Sequence, residues 1–395
     1  VRRPRQSELA PIEIPVVRQR INRGFISSPI TPIAVFALLI LAGTVLLLLP
    51  VATTSGQSAD IRDALFTATS AVTVTGLIVV DTASYWSLTG QAILLCLIFL
   101  GGLGMITSAV VLYSIFLGKR TVTLSDSIQF SRSMGTLRPR GTIRKLARNI
   151  VLVTIVIQVI GFLAILGNEV ATGADRALTD TIWNSLFHTV SAFNNSGFDI
   201  HQNDAPQIFG AYGYISTGIM TLLIICGSIG YFTLSDIKNN KLRTSRWSLN
   251  TKLILSTSAI LTILGALTLL GGEYNNPDTL APMQFHEKIT SSVFNSVSGR
   301  TAGFEAFEFA NLEQHTSLWY ILLMFIGGAS GSTAGGIKVT TVAILIAAVI
   351  TSLTNRSHIV AFKREIPSSS VNLALSVSLL SLAAVAISAL ILTIL

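Results

Sequence analysis

The sequence predicts an all-α integral membrane protein, and three observations support this fold class. The chain is apolar, with 50% hydrophobic residues, only 12% charged residues and a mean hydropathy of +0.66, values too apolar for a soluble protein of 395 residues. Its apolar residues gather into long runs. Its connecting segments alternate between strongly basic and acidic composition.

Runs of about 18 or more apolar residues can cross the hydrocarbon core of a bilayer as helices. The chain contains six such runs: Pro32–Leu49, Gly90–Leu117, Ile150–Gly167, Gly213–Leu234, Leu253–Leu270 and Val371–Leu395. Two shorter runs, Ser317–Ile326 and Val339–Leu353, flank GGASGSTAGGIK at 327–338. As helices they would span about 15 and 22 Å, so neither crosses roughly 30 Å of hydrocarbon alone. We therefore predict that they form one broken helix, the seventh crossing.

The charged residues behind the net charge of +8 are distributed unequally between alternate connecting segments. Segments 1–24, 118–148, 235–252 and 354–365 hold 22 of the 27 Lys and Arg but 5 of the 19 acidic residues. The alternate segments 51–88, 168–208 and 271–314 hold 4 basic and 14 acidic residues. Because Lys and Arg mark cytoplasmic loops, we expect a multi-pass protein of the cytoplasmic (inner) membrane with its N-terminus in the cytoplasm. This asymmetry explains the basic charge without nucleic-acid binding.

The outer connections repeat a motif three times. They read ALFTATSAVTVTGL at 64–77, SLFHTVSAFNNSGF at 185–198 and SVFNSVSGRTAGF at 292–304. Each copy has Phe and Ser four residues apart and then a glycine, which follows the serine by 6 residues in the first two copies and by 5 in the third. One copy alone is more often an ordinary turn, but three at equivalent topological positions indicate an internal repeat.

A half-helix that stops inside a membrane is tolerated only where it lines a watery cavity or is buried in protein. The glycine that ends it allows backbone conformations closed to other residues, so that carbonyl oxygens can face inward. Such carbonyls replace the hydration shell of a cation, and helix C-termini that point at the cavity add negative potential. The repeat is therefore predicted to line a cation path.

These features divide the chain into predicted segments. They are a cytoplasmic N-terminal segment 1–28, repeat 1 at 29–120 with its pore loop at 62–77, a linker 121–148, repeat 2 at 149–236 with its pore loop at 180–198, a linker 237–250, repeat 3 at 251–355 with its pore loop at 286–304, and 356–395, a cytoplasmic loop and the first span of repeat 4.

The motifs TVTGL, AFNNSGF and RTAGF, with GGASGSTAGGIK after the third, resemble those of the Trk/Ktr/HKT superfamily of potassium transporters, in particular its KtrB/TrkH-type bacterial membrane subunits. The resemblance covers nearly all of the chain beyond residue 25. It implies four span–pore-loop–span repeats around one pseudo-fourfold pore, similar to a K⁺ channel. It also implies K⁺ as the transported ion, with Na⁺ as an additional candidate, and no organic cofactor.

The ion-binding filter is predicted at the three turns. Its residues are Thr73, Val74, Thr75 and Gly76; Asn194, Asn195, Ser196 and Gly197; and Thr301, Ala302 and Gly303. The resemblance implies K⁺ selectivity where every filter position holds glycine, as Gly76 does here.

The polar loop inside the broken helix is not predicted to be a fourth filter. Gly335 lies only 32 residues beyond Gly303, too few for two further spans. A broken helix at mid-depth marks an ion or substrate path, and the resemblance implies that this loop is a gate that obstructs the pore beneath the filter. Its residues are Gly327, Gly328, Ala329, Ser330, Gly331, Ser332, Thr333, Ala334, Gly335, Gly336 and Lys338. Lys338 is either part of the gate or an anchor at the inner surface.

A fourfold pore requires a fourth loop, and this sequence begins repeat 4 without reaching it. The filter glycines are spaced by 121 and 106 residues, so the fourth glycine is expected near position 409 to 424 of a longer chain.

Other conspicuous residues have simpler interpretations. Gly101, Gly102 and Gly104 are expected to permit close helix packing. Arg300 is expected to hold the third turn through backbone carbonyls. His188 and the other histidines are expected to be ordinary polar positions. No arrangement of residues suggests catalysis, so the protein is not expected to be an enzyme.

The resemblance implies further partners besides the lipid bilayer. It implies a homodimer and a cytosolic nucleotide-binding ring of the regulator-of-conductance type. The alternative function is a secondary transporter of another cation or small solute built around a broken helix. Inverted repeats and midplane sites are usual in such transporters, whereas these repeats share one orientation and place their glycine turns toward the outer face.

Overall fold

The computed structural model describes residues 30–116, 143–172, 177–201, 208–241, 243–355 and 357–394. The predicted N-terminal segment and most of the predicted linker 121–148 lie outside these ranges. The described residues are largely helical, and their only strands form one short antiparallel hairpin.

Within the described ranges, thirteen α-helices follow one another in three groups and a final helix. The first group is α1 (Ile30–Leu47), α2 (Ile61–Thr73), α3 (Thr82–Tyr85) and α4 (Leu88–Phe116). The second is α5 (Ile143–Ala171), α6 (Leu178–Asn194), α7 (Ile208–Ile229) and α8 (Tyr231–Asn240). The third is α9 (Leu249–Glu273), α10 (Phe285–Thr301), α11 (Gln314–Phe325) and α12 (Val339–Leu353). The hairpin of β1 (Val360–Ala361) and β2 (Arg364–Glu365) then leads to α13 (Ser368–Ile394).

In each group one helix of 13 or 17 residues packs against the helices on both sides of it: α2 against α1 and α4, α6 against α5 and α7, and α10 against α9 and α11. Local signals start two of them. The side chain of Asp60 accepts a hydrogen bond from the amide of Arg62, and Gln284 and Glu287 form a capping box at the start of α10. The groups join where α4 packs on α5 and α6 and where α7 packs on α10.

Helix lengths agree with a helical membrane protein. Within the described residues, 4 helices are long and apolar enough to cross a membrane, or up to 5 if one bent pair counts as a span. The 4 are Leu88–Met105, Arg148–Ala171, Leu249–Glu273 and Ser368–Ile394, and the helices Ile33–Leu47 and Val339–Leu353 are shorter and also apolar. Many large apolar side chains on these helices are exposed, which suits a protein surrounded by lipid. The coarse prediction is confirmed, and the number of seven crossings stays a prediction.

One predicted span is not a straight helix. The run Gly213–Leu234 is broken at Gly230, where α7 and α8 meet at an angle of 96°. Gly230 has a φ of 81°, in the left-handed region that glycine adopts without steric cost. The predicted run is therefore bent and not straight, and the sequence did not indicate the bend because its apolar residues continue past Gly230 to Leu234.

The phenylalanines of the repeated motif are packed differently. Phe187 and Phe294 are fully buried, whereas Phe66 is 41% exposed. Equivalent positions in the sequence motif therefore do not have equivalent surroundings among the described residues.

Candidate functional site

The first two short helices end in a left-handed residue. Val74 (φ 55°) caps α2 and Asn195 (φ 58°) caps α6, and each donates its amide to the helix that precedes it. A glycine with positive φ follows two residues later, Gly76 at 78° and Gly197 at 74°. A β-branched valine at positive φ is a steric outlier, and such outliers cluster at functional sites.

The third turn reaches the same closure with one residue fewer. Ala302 caps α10 in the right-handed region, with φ −96°, and Gly303 follows at 83°. In every copy the amide five residues after the motif serine donates to that serine's carbonyl. The bonds are Thr75 N to Ser70 O (2.9 Å), Ser196 N to Ser191 O (2.9 Å) and Gly303 N to Ser298 O (3.0 Å). The shorter step in the third copy therefore means that the glycine itself closes the turn.

The motif serine also holds the far side of the turn in two copies. Ser191 Oγ donates to Phe198 O at 2.8 Å, and Ser298 Oγ donates to Phe304 O at 2.6 Å. In the first copy Ser70 Oγ is buried and has no hydrogen-bond partner within the part of the chain that the structure describes. The serine thus ties both ends of the second and third turns to their helix.

Replacing Ser191 by alanine is expected to lower the free energy of unfolding by about 1 kcal/mol, because the buried Phe198 carbonyl loses its donor. Ser70→Ala is the matched control, since it removes a hydroxyl that holds no described partner. Thermal unfolding of the purified variants measures both. A larger loss for Ser70→Ala than for Ser191→Ala would contradict this account of the turns.

The three turns contact one another through their backbones. A β-carbon on Gly76 would overlap the carbonyl oxygen of Ser196, and one on Gly197 would overlap that of Ala302. A β-carbon on Gly303 would lie 3.7 Å from the Cα of Gly197. The structure therefore brings the three predicted filter segments to one place, with the second turn between the other two.

Helix α4 supports the turns from the side. A β-carbon on Gly101 would overlap the Val72 carbonyl oxygen, and one on Gly102 would overlap the amide oxygen of Asn194. The expectation that these two glycines permit close packing is confirmed.

A chain of side-chain hydrogen bonds connects two turns with the polar loop 327–338. Thr301 Oγ1 donates to Asn195 Oδ1 at 2.7 Å, and Asn195 Nδ2 donates to Thr333 Oγ1 at 2.7 Å. Thr333 Oγ1 donates in turn to Phe193 O at 3.1 Å. Asn195 and Thr333 are 1% exposed, so these bonds lie inside the protein. Asn195 was predicted in the filter and Thr333 in the loop, but their contact was not predicted.

The polar loop folds back on itself between α11 and α12. Gly327 N donates to Ile337 O at 2.9 Å, Ile337 N to Phe325 O at 3.1 Å, and Val339 N to Gly328 O at 3.0 Å. The two ends of the broken helix are therefore fixed side by side. Within the loop Ser332, Thr333 and Ala334 are buried, whereas Gly335 and Gly336 are exposed.

The polar loop 327–338 is hydrogen-bonded to the end of α7, next to the break between α7 and α8. Ala329 N donates to Ser228 O at 2.8 Å and Thr333 N donates to Gly227 O at 3.3 Å. The last carbonyls of a helix have no partner within it, so the end of α7 offers acceptors to the loop. A β-carbon on Gly230 would lie 2.8 Å from Gly331 O. Sequence reasoning missed this contact, although the two glycines of GSIG at 227–230, inside an apolar run, were a signal.

Two charged residues that the sequence singled out contact backbone carbonyls. Lys338 Nζ donates to Ala334 O at 2.8 Å, inside the loop. Arg300 is 7% exposed and its Nη1 lies 3.3 Å from Ser258 O and 3.4 Å from Thr262 Oγ1. Arg300 thus binds a carbonyl of α9, whereas the expectation was that it holds the turn's own carbonyls.

A histidine and carboxylate cluster lies directly after the second turn. His188 Nε2 is 2.7 Å from Asp199 Oδ1, and His201 Nδ1 is 3.6 Å from the same oxygen. Burial alone would raise the pKa of the Asp199 carboxyl, but His188 and His201 hold that pKa well below its ordinary value. His188 is therefore a buried side chain bonded to a carboxylate, whereas it was expected to be an ordinary polar position.

Comparisons with known proteins agree with this arrangement. Residues 32–395 match the family described as TrkH, cation transport protein. The chain is 37% identical over 347 residues to the Ktr system potassium uptake protein B of Bacillus subtilis, covering 88% of this chain and 76% of that protein. It is 35% identical over 368 residues to the potassium/sodium uptake protein NtpJ of Enterococcus hirae, covering 93% and 79%.

A solved structure supports the fold. The crystal structure of the potassium transporter TrkH from Vibrio parahaemolyticus superimposes with a TM-score of 0.64 at 18% sequence identity, covering 87% of this chain and 67% of that one.

Proposed function

The chain belongs to the TrkH family of cation transport proteins, and on that premise we propose that it is the translocating membrane subunit of a Ktr/Trk-type potassium uptake system. The relatives named as potassium uptake proteins support the substrate, since the chain shares 35% or more of its residues with two of them over most of its length. The observation that carries the proposal is that the three glycine turns contact one another. The second of them is also hydrogen-bonded to the polar loop 327–338, through Asn195 and Thr333.

The turns act as the selectivity filter in this proposal. Their backbone carbonyls replace the water around K⁺, and the C-terminal ends of α2, α6 and α10 direct partial negative charge toward them. Glu305, an acidic residue beyond the third turn, adds negative charge near the outer entrance and so raises the local cation concentration. The ion is coordinated by Thr73–Gly76, Asn194–Gly197 and Thr301–Gly303.

The loop 327–338 acts as the gate. Its buried residue Thr333 reaches the second turn through Asn195, and its amides use the carbonyls at the end of α7. These bonds hold the loop across the inner side of the filter. A broken helix whose polar segment lines an ion path is the expected arrangement for such a role.

The function is tested by ion flux into liposomes that contain the purified full-length protein. We expect Rb⁺ influx driven by an inside-negative potential, competition by external K⁺ and weaker competition by Na⁺. The control is the same protein inactivated by heating before reconstitution. Influx equal to that of the control, or equal competition by K⁺ and Na⁺, would refute K⁺-selective transport.

The membrane orientation and the partners belong to the same proposal. The subunit resides in the cytoplasmic membrane with its basic loops inside, as a homodimer on a cytosolic nucleotide-binding ring. Exposed basic residues that the structure describes on this side suit an acidic partner: Lys238, Lys241, Arg243, Arg246, Lys363 and Arg364. In the liposome assay, flux should respond to nucleotide only after such a ring is added.

A further inference from the structure

The cluster after the second turn has the ligand chemistry of a metal site. One nitrogen each of His188 and His201 and one carboxylate oxygen of Asp199 lie within 4.8 Å of one another. Imidazole nitrogen and carboxylate oxygen are common ligands of Zn²⁺, whose bonds to them are about 2.0–2.2 Å long. One cation bound by all three groups would draw these ligand atoms closer together than 4.8 Å, because two metal–ligand bonds of about 2.2 Å do not span this distance.

The second nitrogen of His188 is already positioned as metal sites require. His188 Nδ1 donates to Asn184 O at 2.8 Å, which directs Nε2 toward Asp199. A hydrogen bond from the other ring nitrogen to a backbone carbonyl is the usual way in which a ligating histidine is oriented. The backbone of the loop adds support, because His201 N donates to Asp199 Oδ1 at 2.8 Å.

The two histidine side chains of the cluster are buried, whereas the Asp199 side chain is partly exposed. The side chain of His188 is 0% exposed and that of His201 is 7% exposed, whereas that of Asp199 is 38% exposed. Asp199 lies two residues after Gly197, so this partly exposed side of the cluster is immediately beside the second turn.

We propose that His188, Asp199 and His201 bind a divalent transition-metal cation of the Zn²⁺ class at the outer end of the second turn, and that the bound cation slows K⁺ entry. Inhibition rests on the proposed transport function, whereas metal binding does not. The physical reason is charge: the divalent ion takes the place of the proton that His188 Nε2 shares with Asp199, so the cluster gains positive charge close to the proposed filter and the free energy of an arriving K⁺ rises. Two histidines with one carboxylate favour Zn²⁺ over Ca²⁺ or Mg²⁺, which prefer oxygen ligands.

The competing explanation is a structural ion pair. His188 and Asp199 could serve only to close the loop behind the turn, in which case no metal would bind with useful affinity. His201 separates the two explanations, because it is the ligand farther from Asp199 and is not needed for the 2.7 Å contact of His188.

Isothermal titration of the purified full-length protein with ZnCl₂, after removal of any histidine tag, tests binding. We expect one site per chain, and at least about tenfold weaker affinity in both His201→Asn and Asp199→Asn. The matched control is His286→Asn, an exposed histidine on α10 outside the cluster, which should bind Zn²⁺ as the unaltered protein does. Absence of binding, or equal affinity in His201→Asn, overturns the site.

Rb⁺ influx measured with and without Zn²⁺ tests the consequence. We expect Zn²⁺ to reduce influx severalfold in the unaltered protein and in His286→Asn, and to have less effect in His201→Asn, each variant being compared with its own Zn²⁺-free rate. Binding without inhibition overturns the second half of the proposal. A protein that binds Zn²⁺ but carries no Rb⁺ at all supports the site and contradicts the proposed transport function instead.

Discussion

Replacement of Gly76 by serine is expected to reduce the preference for K⁺ over Na⁺ by about tenfold or more. The new β-carbon would overlap the Ser196 carbonyl oxygen, and the φ of 78° adds about 1–2 kcal/mol of strain for a non-glycine residue. Since a 1.4 kcal/mol change in relative binding is tenfold, even a modest displacement of the proposed ligands removes much of the discrimination. Competition of Na⁺ with Rb⁺ influx measures the ratio.

The matched control is Gly56→Ser. Gly56 also has a positive φ, 68°, but a β-carbon there would meet nothing within 4 Å among the described residues. It thus imposes the same backbone strain in open space, away from the turns. Unchanged selectivity in Gly76→Ser, or an equal loss in Gly56→Ser, would remove Gly76 from the proposed filter.

Deletion of residues 330–334 is expected to raise K⁺ flux severalfold, because it removes the buried residues Ser332, Thr333 and Ala334 from the proposed gating loop. The shortened loop can still close, since a β-carbon on Gly327 would lie only 2.9 Å from the Cα of Gly336. The bonds that join Ile337 to Phe325 and Val339 to Gly328 remain outside the deletion. Initial rates of Rb⁺ influx, normalised to the amount of folded protein, measure the effect.

The substitution Thr333→Val separates two proposed roles of the loop 327–338: obstruction of the ion path and hydrogen bonding to the second turn. It keeps the loop but removes the hydroxyl that binds Asn195 and the Phe193 carbonyl. We expect a small rise in flux and a shift in K⁺ over Na⁺ preference, because Asn195 also holds Thr301. The deletion should show the same shift in preference together with the larger flux. A deletion variant that is folded and conducts no K⁺ would exclude the gate.

The sequence was sufficient for most of the apolar helices and for the location of the turns. Apolar runs of membrane-spanning length and the motif with Phe, Ser and Gly are local properties, and the structure places the three glycines together. The one-residue difference of the third copy was visible in the sequence, but its meaning was not. It became clear only from the hydrogen bond of Gly303 to Ser298.

The remaining features depend on contacts between distant parts of the chain. Asn195 and Thr333 are 138 residues apart, and no local pattern pairs them. The bend at Gly230 lies inside an apolar run that continues to Leu234, so a window that averages over a span does not detect it. The exposed Phe66 shows the same limit, because burial of a repeated residue is decided by its neighbours and not by its motif.

The bend at Gly230 and the polar loop 327–338 share hydrogen bonds, so a change in one of the two breaks affects the other. Closing the break between α7 and α8 would withdraw the carbonyls of Gly227 and Ser228 from the loop, and lifting the loop would leave both carbonyls without those donors. A buried backbone group without a partner costs about as much as a lost hydrogen bond, which makes half-released arrangements the least stable ones. The two breaks therefore form one cooperative unit that favours two end positions over a graded series of partly open ones.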